Sequence, residues 1–173
     1  MKKVITLVFL VTFGFVNAQE AFKGKGDIKV NVGANLQDGG SGIQGSVDFG
    51  LGENFSFGFV SNYLLGVDTY YYSFPNGASG TAKPDFGDRF DAKARINANL
   101  SSVIGVKELD VYPGLSLGLR NFGGHVGGRY FFTDGFGVFT EIGFPIAKYS
   151  SSDDRFYHLN NQATFSLGAS FSL

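Results

Sequence analysis

The sequence predicts an all-β fold: a single domain over residues 19–173 that forms an eight-stranded antiparallel up-and-down transmembrane β-barrel. Three observations carry that prediction. Eight segments alternate apolar with polar or small residues at a period of two, and no helical stretch separates them. The chain holds 26 Gly and 20 Phe but no Trp, a pattern of glycine alternating with aromatics that is foreign to disordered sequences. Finally, the last segment, "SLGASFSL", runs to Leu173 without the polar tail on which soluble domains usually end.

The chain opens with Met1-Lys2-Lys3, an uncharged apolar run from Val4 to Val16, and small residues at Val16-Asn17-Ala18. A positive n-region, a short apolar core and a small-residue cleavage site make residues 1–18 a secretory signal peptide, too short for a comfortable membrane helix. The mature chain is expected to begin at Gln19. There is no cysteine, so neither a disulfide nor a lipid-modified cysteine supports the fold. Fourteen basic residues, two of them in the leader, face fifteen acidic ones, a balance that suggests no nucleic-acid surface.

The segments follow in order. The first places Ile28, Val30, Val32 and Leu36 on one face and Lys29, Asn31 and Asn35 on the other. The second sets Ile43, Val47, Phe49 and Leu51 against Gln44, Ser46 and Asp48. The third carries Phe55, Phe57, Phe59, Tyr63, Leu65 and Val67. In the fourth, Ala92, Ala94, Ile96, Ala98 and Leu100 oppose Lys93, Arg95, Asn97 and Asn99. Val111, Pro113, Leu115, Leu117 and Leu119 make the fifth, and Val126, Gly128, Tyr130 and Phe132 the sixth. The seventh is Phe136, Val138, Thr140, Ile142 and Phe144, and the eighth runs from Ala163 through Phe171 to Leu173.

Turn lengths fix the register. Three-residue loops at Gly52-Glu53-Asn54 and Thr133-Asp134-Gly135 favour a glycine of positive φ. The first of them sets Leu51 against Phe55, Phe49 against Phe57 and Val47 against Phe59, all on one side. A two-residue turn at Phe122-Gly123 puts Leu119 opposite Val126 and His125 opposite Arg120. Pro113 and Pro145 cannot donate to a ladder, so bulges or strand ends are expected there. The two long polar links, 69–90 and 149–159, fall at the same end.

The alternation admits two readings. In a soluble sandwich or lipocalin-like barrel the Phe/Leu/Val face is the core; in a membrane barrel it meets lipid and the polar face lines the interior. The polar face is mostly Gly, Ser, Asn and Thr with a few charges, which suits a narrow filled lumen. Aromatics gather near strand ends at Phe49, Phe55, Phe57, Tyr130, Phe132, Phe136, Phe144 and Phe171, as interfacial girdles do. These features and the shared end of the long loops favour lipid outside.

"SLGASFSL" resembles the C-terminal signal of Gram-negative outer-membrane β-barrels, with Ser166, Gly168, Phe171 and terminal Leu173 where phenylalanine is usual. Together with "DVYPGLSLGLR" and "GGRYFFTDGFGVFTEIGF", it makes the whole mature chain similar to the small, Gly/Phe-rich eight-stranded outer-membrane barrels. The resemblance implies a cell-envelope location and recognition of the last strand by the barrel-assembly machinery. It implies a monomer in contact with outer-membrane lipid and lipopolysaccharide. Function follows less directly, because such barrels include anchors, adhesins and resistance factors.

The inward set reads as Lys29, Asp48, Asp68, Lys93, Arg95, Asp110, Arg120, Arg129 and Glu141. Charges in a dry lumen must pair. The "TDG" register sets Gly127 against Glu141 with Arg129 one diagonal step away, so a Glu141–Arg129 pair is expected. Inward Phe131 and Phe139 add bulk. Such a lumen is a structural plug or, alternatively, a narrow porin-like path for ions or small solutes. Aromatic residues Tyr70, Tyr71, Tyr72, Phe74 and Phe86, with Arg89, make the 69–90 link a candidate surface for an extracellular ligand. Lipid A deacylase barrels use a His-x-Ser pair, but His125 is followed by Val126-Gly127, and the second histidine, His158, is isolated. No catalytic set, metal site or cofactor is therefore expected.

Overall fold

The computed structural model describes residues 20–149 and 156–173. Residues 1–18, where a leader is expected, and part of the 149–159 link lie outside them. Twelve elements follow along the chain: β1 (Ile28–Gln37), β2 (Gly40–Gly50), β3 (Phe55–Val67), β4 (Tyr70–Ser73), β5 (Ser79–Ala82), α1 (Phe86–Arg89), β6 (Phe90–Ala98), α2 (Ser101–Ile104), β7 (Leu109–Gly118), β8 (Asn121–Phe131), β9 (Phe136–Lys148) and β10 (Thr164–Ser172). Eight of the strands close a barrel in the order β1-β10-β9-β8-β7-β6-β3-β2, every pair antiparallel. These are the eight segments read from the alternation. β4 and β5 form a separate two-stranded sheet.

The polarity of the barrel is inverted relative to a soluble domain. Val32, Phe59, Ile96, Leu117 and Ile142 are each more than half exposed on the outer wall, whereas Asn31, Asp48, Arg95, Asn97 and Arg129 are buried inside. A lipocalin-like core of Phe, Leu and Val is thereby ruled out as the packing of this chain. Phe131 and Phe139 do point inward, as expected.

The "GEN" register is as read, with Val47 opposite Phe59 and Phe49 opposite Phe57. The "TDG" turn has the expected length, with Gly127 opposite Glu141. Neither Gly52 nor Gly135 has a positive φ, contrary to expectation. In each turn two successive N–H groups share one carbonyl instead: Leu51 and Gly52 donate to Phe55 O, and Phe132 and Thr133 donate to Phe136 O.

The β7–β8 turn is not at Phe122-Gly123. It lies at Leu119-Arg120, and Leu117 pairs with Phe122 and Val111 with Gly128. Gly123 and Gly124 are strand residues; a Cβ on Gly123 would press on Phe144 O and one on Gly124 on the Phe144 ring. Close approach to β9, not chain reversal, requires these glycines. Pro145 stands at the β8–β9 register shift beside Phe122/Gly123, the irregularity expected of it. Pro113 instead lies inside β7, at neither a bulge nor a strand end: it faces Val126 on the β8 side, and the β6–β7 ladder stops one residue away at Gly114, so no β6 carbonyl needs its missing N–H.

Two one-turn helices interrupt the all-β reading. Asp85 and Asp88 form a reciprocal capping box on α1, and Gly105, at φ 75°, ends α2 in the left-handed region. Turns 38–39 and 119–120, the link 68–89 and the described part of the link 149–163 share one end of the barrel. The start of β1, the end of β10 and the remaining turns share the other. β10 closes the barrel on β1, Gly168 crossing Gly33 where a Cβ on either would collide with the opposing backbone.

Candidate functional site

The lumen is built on Asp48, an inward residue of β2. In the ladders Asp48 is opposite Gly58 of β3, and Gly58 is opposite Arg95 of β6. A Cβ on Gly58 would strike the Asp48 carboxylate. The bare backbone of β3 therefore lets Arg95 reach over one strand and grip Asp48 with two bonds, Nε to Oδ1 and Nη2 to Oδ2, both 2.7 Å. Bidentate guanidinium–carboxylate geometry is the strongest pairing the side chains offer. Asn97 Nδ2 donates to Asp48 Oδ1 at 3.1 Å, and Arg129 donates to Asp48 Oδ2 from the far side of the barrel.

Glu141 belongs to the same network. Arg95 Nη1 donates to its Oε2 at 2.8 Å and Gln44 Nε2 to its Oε1 at 3.2 Å. The expected Glu141–Arg129 pair is thus corrected: Arg95 is the partner of Glu141, and Arg129 turns to Asp48, with Asp110 at 3.9 Å. The physical reason lies in ring stacking. Glu141, Gly127 and Tyr112 form one row across β9, β8 and β7, and the missing side chain of Gly127 makes room for the Tyr112 ring. Arg129 lies over that ring with its guanidinium carbon 4.0 Å from the centroid, held away from Glu141.

Asparagines and serines carry the remainder. Asn99 Nδ2 donates to Asp110 Oδ2 at 2.7 Å, Ser56 Oγ to Asn99 Oδ1 at 2.8 Å, and Asn97 Nδ2 to Ser56 Oγ at 3.0 Å. His125 is buried beside Asn97, its Nε2 2.7 Å from Asn97 Oδ1, and its ladder partners are Gly114 and Gly143 rather than Arg120. Lys29 closes the end where β1 starts and β10 finishes: its Nζ is 2.9 Å from Asp27 Oδ1, donates to Ser172 Oγ at 2.8 Å and sits 4.8 Å above the Phe131 ring.

Three residues read as lumenal occupy the other end. Asp68 is exposed beyond β3, and its N–H donates to Gly39 O at 3.1 Å. Arg120 sits in the turn, donates to Gly87 O and lies 3.9 Å from Asp88 Oδ1. Lys93 is inward but partly exposed at the mouth, 3.4 Å from Asp91 Oδ2 and bonded to Asn121 Oδ1. Strand parity placed Asp68 and Arg120, and parity lapses where strands end.

Residues 156–162 fold into that mouth as a cap. Leu159 and Leu64 are fully buried together with Phe156, and Val67 and Ala82 pack against them. Asn160, at φ 57°, takes Gln37 Oε1 on its N–H at 3.3 Å and donates from Nδ2 to Arg89 O at 3.0 Å. Asn121 Nδ2 reaches Asn160 O, and Gln162 Nε2 reaches Asp38 O. The sequence reading did not find this cap. Leu159 beside two asparagines in a polar link was its only sign.

The aromatic residues of the 69–90 link divide. Tyr70 meets Phe156 edge-on at 6.5 Å, so it seats the hairpin on the cap. Phe86 stacks on Phe90 at 5.5 Å and extends the outer wall. Tyr72 meets Phe74 edge-on at 5.3 Å and covers Gly80, while Tyr71, 76 % exposed, faces away. Arg89 is spent on Pro84 O and Leu65 O. At the other end Phe171 contacts Phe136 at 5.8 Å on the outer wall, and Leu173 N–H donates to Ile28 O at 3.0 Å.

Among the described residues no group of three or more His, Cys, Asp or Glu is placed to hold a metal ion. No curated protein and no solved structure matches the chain. Residues 11–173 match the model of a family of unknown function, DUF6646, and the chain belongs to that family.

Proposed function

We propose that the protein is an integral outer-membrane barrel, exported by the 1–18 leader, that acts without catalysis through the structures at its loop end, links 69–90 and 149–159. The observation that carries this reading is the inverted polarity: an apolar wall outside and a hydrogen-bonded, ion-paired interior. In water such a wall would be one exposed apolar surface, far beyond the patches monomers tolerate. The Gly33–Gly168 seam and the pairing of β10 with β1 support last-strand closure by the assembly machinery. The β4–β5 hairpin, with Tyr71 and Phe74 exposed, is the surface offered to an extracellular ligand.

The charged lumen also suggests a narrow channel. Two features favour a plug: Asp48 holds both arginines across the bore, and the Leu64–Phe156–Leu159 cap stands above them. Breaking a buried pair strands a charge, so the closed state is strongly preferred.

The test is fractionation with heat-modifiable gel mobility. The protein is expected in the outer-membrane fraction, migrating differently before and after boiling. Recovery as a soluble periplasmic protein overturns the reading.

A further inference from the structure

The loop rim of the outer wall carries a cleft that none of the roles above uses. It has a volume of about 340 Å³ and lies between α1, the β7–β8 turn and the cap, with Arg120, Tyr149, Tyr157 and Asn161 on its sides and Phe90 and Leu119 as its apolar floor. Lys148 Nζ stands 5.8 Å from the Tyr157 ring at the same rim. Leu119, 66 % exposed, is also the upper boundary of a second depression of about 640 Å³ on the wall below. That groove runs between Val47, Phe59 and Leu117 over the small side chains of Ala92 and Ala94.

The two share Leu119 as a lining residue and differ in chemistry. The upper part presents a guanidinium with aromatic and amide neighbours, and the Lys148 ammonium lies near one of those rings; the lower part is mainly apolar. Arg120 gives Nη2 to Gly87 O and has Asp88 Oδ1 at 3.9 Å, so of its five N–H donors several remain for a ligand. A planar guanidinium is suited to phosphate oxygens, and cations where an apolar surface ends are suited to lipid headgroups.

We infer that this cleft and groove together bind one phosphorylated lipid of the leaflet on the loop side, its phosphate on Arg120 with Lys148 beside it and an acyl chain along Leu119, Ala92 and Ala94. The inference rests on the membrane reading above. A free phosphate would satisfy the upper part alone, whereas an amphiphile accounts for both parts and for their shared edge at Leu119.

The test uses the full mature protein in detergent micelles and native mass spectrometry with three probes: phosphorylated lipid A, the same lipid stripped of phosphate, and inorganic phosphate. Phosphorylated lipid is expected to be retained, stripped lipid to be retained about tenfold less, as loss of a charge-assisted contact implies, and inorganic phosphate not at all. Arg120→Gln is expected to abolish the preference for the phosphorylated form. Ala94→Phe, which fills the groove and leaves Arg120 in place, is expected to weaken both lipids. Heat-modifiable mobility of each variant verifies that it is folded. Equal retention of the two lipids, binding of phosphate alone, or an Arg120→Gln protein that still discriminates overturns the proposal. A protein that stays monodisperse without detergent overturns the membrane reading itself, a separate outcome.

Discussion

The middle of the lumen and its loop end are both closed, by opposite means. Mid-barrel closure is ionic: Asp48 and Glu141 bind Arg95 and Arg129, all four residues on strands, with Tyr112 beneath one guanidinium. Loop-end closure is apolar, Leu64 against Phe156 and Leu159, pinned by the side chain of Asn160 on backbone carbonyls. Strand residues are fixed by eight ladders and can hold charges in exact opposition. A link held at its edges by a few amide bonds cannot, and it closes with leucine instead. The first closure is thus expected to open only with the global fold, the second on its own.

That contrast can be broken from the ionic side first. Asp48→Ala takes a partner from Arg95, Arg129 and Asn97 at once and leaves Arg129 with only the more distant Asp110, so the unfolding free energy in micelles should fall by about 3–5 kcal/mol. Glu141→Ala leaves Arg95 its bidentate partner, so its cost should be smaller, about 1–3 kcal/mol. A double-mutant cycle sharpens the assignment: Glu141→Ala and Arg95→Gln should couple by at least about 0.5 kcal/mol, and more strongly than Glu141→Ala does with Arg129→Gln. A cycle that couples Glu141 mainly to Arg129 would restore the pairing expected from the diagonal.

Gly127→Ala pushes a methyl into the Tyr112 ring and should cost about 1–3 kcal/mol by overpacking. At the cap, Leu159→Ala should accelerate amide exchange over residues 156–162 while strand exchange stays unchanged. If strand exchange accelerates equally, the cap belongs to the global fold and the contrast fails. The smallest effect is expected at Tyr71→Ala, within about 0.5 kcal/mol, since this side chain is 76 % exposed on the free face of β4.

Much of the barrel was legible because alternation with a period of two is a property of the chain itself. Registers at "GEN" and "TDG" followed from turn length. The β7–β8 turn was misread because Gly123-Gly124 has turn composition, while Leu119-Arg120, the actual turn, has none. Lateral ladders predict only neighbouring pairs, so the cross-barrel contact of Arg129 with Asp48 was out of reach. Arg95 with Asp48 was not: adding the β2–β3 and β3–β6 registers through Gly58 places them one strand apart on the same row. The cap left almost no sign, because the left-handed Asn160 and the buried Leu159 gain their roles only from surfaces brought from five other places in the chain.

The polarity of the wall is the central claim, and the cysteine-free chain allows it to be measured site by site. Single cysteines at Val32, Leu117 and Ile142, labelled with an environment-sensitive fluorophore in reconstituted vesicles, should be quenched by lipids brominated in their acyl chains and shielded from iodide in the water. Quenching by iodide at all three, with no effect of brominated lipid, would contradict the account.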